Sequence, residues 1–174
     1  MAKTIDLNER ALEKEHKAFV RFCDVCGGFC GFLIVFMIAG FIAYGYELIK
    51  GIVAGGAIED IISDAANIVA CVGIGISVRF GAAVFGKLTK GGTPFTYDVA
   101  DKIKGASVPL IVSGGIGFAT EIAVVIMTEG FGFAADKFDF FGGLDILVFG
   151  LALSALSYIF SYGCKLQQES DETI

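Results

Sequence analysis

Four apolar runs dominate this chain, each near the 20 residues that a helix needs to cross ~30 Å of hydrocarbon. They cover Cys26–Leu48, Ala66–Phe85, Ala106–Met127 and Leu144–Tyr162. The first carries no charge before Glu47, the second only Arg79, the third only Glu121, and the fourth only Asp145 at its start. A soluble fold of 174 residues has no core for uninterrupted runs of this length. Lipid offers unpaired backbone groups no partner, so each run must be a helix. The expected fold is therefore an all-α membrane protein with four transmembrane helices. The second boundary is the softest. Ile61 and Ile62 also permit an earlier start, with Asp64 inside the helix and Arg79 near its far interface.

Composition agrees. Charged residues make up 18% of the chain, against about 25% in soluble domains. Glycine, with 24 copies, is commoner in membrane helices than in soluble ones. Tryptophan is absent, which leaves 17 Phe and five Tyr to build any aromatic belt. The net charge of −6, with no basic patch interleaved with aromatics, argues against direct nucleic-acid binding.

The segment before the first run is heavily charged and no small-residue cleavage site follows, so that run reads as a retained span rather than a signal peptide. Orientation follows from Lys and Arg near the spans. Lys3, Arg10, Lys14, Lys17 and Arg21 precede span one, and Lys87, Lys90, Lys102 and Lys104 lie between spans two and three. The two intervening loops hold only Lys50 and Lys137, each among acids. Both termini are expected in the cytoplasm, as in a multi-pass protein of a bacterial inner membrane. Three regions follow: a short cytoplasmic helix within 1–25, a four-helix transmembrane domain over 26–162, and a cytoplasmic tail over 163–174.

In the first region Asp6 or Asn8 is a candidate cap, Glu13 and Lys17 a helical pair, and Leu12, Phe19 and Phe22 an apolar edge. Between spans two and three, Thr96 is placed to cap a helix with Asp98 in its first turn. That helix is expected to run through Lys102 and Lys104 into span three. Phe131–Phe141 alternates phenylalanine with charge and glycine, and reads as an interfacial segment.

Two phrases carry a resemblance. Gly92-Thr93-Pro94-Phe95-Thr96 forms the inner turn, and Tyr158-Ile159-Phe160 followed by Gly163 through Ile174 closes the sequence. With four spans, these resemble the bacterial membrane family filed as domain of unknown function 2975. Its members carry a G-x-P-F-T turn and end in I-F-x-x-G-x-x-L-Q-x-E-x-D-x-T plus an aliphatic residue. That family's genes often neighbour one for a small helix-turn-helix DNA-binding protein. The resemblance therefore implies a regulatory partnership and carries over no catalytic residue. Leu166, Gln167, Glu169, Asp171 and Glu172 become the candidate partner-binding residues.

Other groups invite chemistry. Cys23, Cys26 and Cys30 have C-x2-C-x3-C spacing, with His16 two turns earlier. One straight helix offers at most two neighbouring ligands to a tetrahedral ion, and zinc takes four. Helix packing is the favoured reading, and no metal or cofactor is expected. Cys71 and Cys164 are isolated, so no disulfide framework arises. Arg79 and Glu121 lie inside spans, where ionisable groups face protein or water. Their depths differ by roughly 10 Å, which argues against a direct bond. Tyr44 lies near the depth of Glu121 and Tyr158 near that of Arg79, so these are the expected partners; the alternative for Arg79 is snorkelling to the inner surface. Ser154, Ser157, Tyr158 and Ser161 share one face of span four, and Ser113, Gly117, Thr120 and Glu121 one side of span three. Such stripes either pack helices or line a hydrated path, and packing is the favoured reading.

No nucleophile, phosphate-loop or metalloprotease motif occurs in a suitable setting, and His16 is the sole histidine. The expectation is a non-enzymatic regulatory or sensory membrane protein with a small cytoplasmic partner. A small oligomeric channel or transporter and a structural membrane protein are the alternatives. Membrane lipid, a DNA-binding protein and further copies of the chain are the expected partners.

Overall fold

A computed structural model describes residues 2–90, 95–129 and 143–172, with side chains from Lys14 onward except that of Asp171. The side chains of the candidate caps Asp6 and Asn8 and of Leu12 and Glu13, the turn Gly91–Pro94, the segment Phe131–Phe141 and the last two residues lie outside what it describes; Phe19 and Phe22 of the expected apolar edge are exposed.

Four helices make up the described chain: α1 (Ala2–Ala54), α2 (Ile58–Thr89), α3 (Tyr97–Glu129) and α4 (Gly143–Asp171). All four are long and apolar enough to cross a membrane. The separate N-terminal helix expected before residue 26 is not what is seen. One helix of 53 residues runs from Ala2 through the first span. The local reason is that residues 9–22 are mostly helix formers without proline, and Gly27-Gly28 falls where lipid penalises any open backbone. The earlier start of the second helix is also realised, since α2 begins at Ile58 and contains Asp64.

Packing is serial: α1 lies on α2, α2 on α3, and α3 on α4. The helices thus form an open row with α1 and α4 at its edges. The outward faces are apolar. Phe29, Phe32 and Phe36 stack along the exposed side of α1 at centroid separations of 6.4 and 6.5 Å. Water would not tolerate so large an apolar surface on a monomer; lipid chains are its natural solvent.

The α3–α4 crossing is the closest. A Cβ on Gly143 would collide with the backbone nitrogen of Phe118, and one on Gly114 with that of Leu147. Glycine at these points lets two backbones touch, which is how helices associate where burial from water supplies no drive. The α2–α3 contact is different. Pro109 sits inside α3 and has no N–H to donate to the preceding turn. Hydroxyls gather on that turn: Ser77 Oγ of α2 donates to Ala106 O at 2.6 Å, and Ser107 Oγ to Lys104 O at 2.8 Å. Ser/Thr donors of this kind commonly re-satisfy carbonyls around a membrane-helix proline.

Candidate functional site

The lysine-bearing end of the row carries a connected set of polar contacts. Thr96 caps α3, its Oγ1 accepting from Val99 N at 3.4 Å and its carbonyl from Ala100 N at 3.1 Å. Asp98 follows in the first turn, where the helix dipole favours a carboxylate. Its Oδ2 accepts from Lys87 Nζ of α2 at 2.7 Å and also from Lys102 one turn on. One carboxylate therefore ties the end of α2 to the start of α3 and leaves a surplus positive charge.

The same end of α3 is fixed to α4. Phe95 stacks on Phe160 with ring centroids 5.7 Å apart and planes 24° apart. A Cβ on Gly163 would come within 3.4 Å of the Phe95 ring. Ser157 Oγ donates to Ala100 O at 2.9 Å in a buried contact, and Cys164 is buried. The inner turn and the closing phrase, more than sixty positions apart in sequence (~65 from Phe95 to Phe160), thus meet in space. Sequence reasoning singled out both phrases and missed that they touch. Nothing local in either phrase points to the other, because the contact joins helices far apart in sequence.

Beyond Cys164 the chain stays helical to Asp171, and apart from Leu166 its residues there are polar. Leu166 is 48% exposed, and Lys165 through Ser170 and Glu172 are exposed. The tail is laced along its own length: Lys165 Nζ lies 3.9 Å from Glu169 Oε1, and Gln168 Nε2 donates to Glu172 Oε1 at 3.1 Å. Gln167 shares this exposed stretch. Gly163 could have bent the chain back toward the inner lysines; here the helix continues straight through it.

The intramembrane pairs expected from depth do not form. Glu121 Oε1 accepts from Gly143 N at 3.0 Å, so it caps the first turn of α4 beside the glycine crossing. Tyr44 is on α1, two helices away, and is 38% exposed. The row places α2 between these residues. Tyr158 is likewise 67% exposed on α4, with α3 between it and Arg79. Arg79 lies in a hollow of ≈ 290 Å³ between α1 and α2, among Ile34, Met37, Phe41 and Val72. Its level is set by its neighbours: Ser77 bonds to Ala106, and Phe80 packs on Gly105. That places Arg79 beside the level of Lys104, at the basic end.

Ser157 and Ser113 are buried and bonded to backbone carbonyls, and Ser154 is half-buried. Cys23 is buried in α1, and Cys26 and Cys30 are half-buried, with Cys30 facing Gly81 of α2. Among the described residues, no three His, Cys, Asp or Glu side chains gather as metal ligands would. No family model, curated protein or solved structure matches this chain.

Proposed function

We propose that this chain is a non-enzymatic regulatory or sensory protein of a bacterial inner membrane, with both termini cytoplasmic, that binds a small helix-turn-helix DNA-binding protein through its tail. The observation that carries the reading is the exposed acidic helix beyond Cys164, rooted on the inner turn by Phe95 and Phe160. Asp98 engages Lys87 and Lys102, and the tail acids Glu169 and Glu172 stand on an exposed helix. A surface of Leu166 flanked by Glu169 and Glu172 matches a basic partner, for which charge complementarity speeds encounter. The likeness to domain of unknown function 2975 rests on its motif residues and supplies the partner's class. Rooting the tail on the α2–α3 turn gives a route by which a change among the spans reaches the docking helix.

The test deletes residues 167–174 and measures capture of the helix-turn-helix protein together with thermal stability in mild detergent. Loss of capture at unchanged stability supports the reading. Unchanged capture by the truncated chain, or none by the intact one, refutes it.

A further inference from the structure

Between the two edges of the row lies a groove of ≈ 770 Å³ to which all four helices contribute. Its walls are almost wholly apolar, including Leu33, Val78, Phe85, Ile103, Phe149 and Leu153. Three polar residues reach it. Ser77 gives its hydroxyl to Gly73 O and Ala106 O. The other two are Lys102 at the lysine-bearing end and Asp145 in the first turn of α4. Lys102 shares Asp98 with Lys87, two ammonium groups on one carboxylate, so this trio carries one net positive charge, and the neighbouring Asp101 does not line the groove. Asp145 sits where α4 crosses between Gly114 and Gly117 of α3. The axial distance from Lys102 to that level is roughly 20 Å at 1.5 Å per residue. That exceeds the ~15 Å of hydrocarbon in one leaflet.

We propose that this groove binds one anionic phospholipid, its acyl chain along the apolar wall and its phosphate at Lys102. The charge pattern selects the occupant. A long apolar body fits the walls, a negative head fits Lys102, and a second anionic end would meet Asp145. The polarity also fixes the leaflet, which is the one at the lysine-bearing face. The site stands independently of any protein partner at the tail.

Native mass spectrometry of the full chain in mild detergent tests this with phosphatidylglycerol and phosphatidylcholine of identical acyl chains. Retention of phosphatidylglycerol is expected to exceed that of phosphatidylcholine roughly fivefold, the effect of one lysine near an anionic lipid. Lys102→Gln removes the preference and Lys102→Arg keeps it. Lys104→Gln, exposed outside the groove, leaves it intact. Leu153→Trp fills the groove and lowers retention of both lipids without touching the Lys102–Asp98 pair, so it reports on the site even if Lys102→Gln loosens the helix ends. Equal retention of the two lipids overturns the proposal, as does equal loss in Lys102→Gln and Lys104→Gln. A dimer that dissociates on Leu153→Trp also overturns it, because a second copy would then fill the groove.

Discussion

A carboxylate at the start of a helix meets unpaired N–H groups and the positive end of the dipole, and Glu121 takes that place for α4. Its role in this structure is to hold one helix to the next. Glu121→Ala is expected to lower stability by about 1–2 kcal/mol, while Glu121→Gln, which keeps an acceptor, loses less. Thermal unfolding in detergent distinguishes the two; equal, negligible losses would contradict the capping role. Gly143→Ala should cost more at the same crossing, about 1–3 kcal/mol, because its Cβ meets backbone rather than a movable side chain. The presence of Glu121 inside a span was legible from sequence, and so was its need for a polar partner. The partner was not, because it is a backbone N–H at a helix start, which no side-chain inventory shows.

At the scale of elements, lipid made the helices easy to read and their neighbours hard. A span has one way to satisfy its backbone, so the four runs translate directly into α1 to α4. Charge does not stop a helix, which is why α1 and α4 overrun the apolar limits drawn at residues 26 and 162. Helix order in the row leaves no periodic signal, since residues facing lipid and residues facing protein are equally apolar. Hence neither Tyr44 nor Tyr158 meets the partner that depth alone suggested. The Thr96 cap was legible because capping is local. The Phe95–Phe160 stack was not, because it joins helices far apart in sequence. Its removal gives a prediction at this scale. Phe160→Ala should forfeit about 0.5–1.5 kcal/mol of aromatic pairing and raise hydrogen exchange at the first turn of α3. Tyr162→Ala, a 64% exposed neighbour, should leave that exchange unchanged. Equal exchange in both variants would mean that the stack does not anchor the turn.

For the whole molecule, the open row distributes charge by level. Lys87, Lys90, Lys102, Lys104 and Arg79 gather toward one end, where they outnumber Asp98 and Asp101, while Glu47, paired with Lys50, and Glu121 lie toward the other. The proposed orientation, with the lysine-bearing face toward the cytoplasm, rests on this asymmetry. Impermeant thiol labelling of intact cells tests that most directly. Single cysteines replace Lys90, between α2 and α3, and Lys137, between α3 and α4, in a chain whose five native cysteines have been removed. Labelling is expected at position 137, and at position 90 only once the membrane is permeabilised. Labelling at 90 with protection at 137 would contradict that orientation.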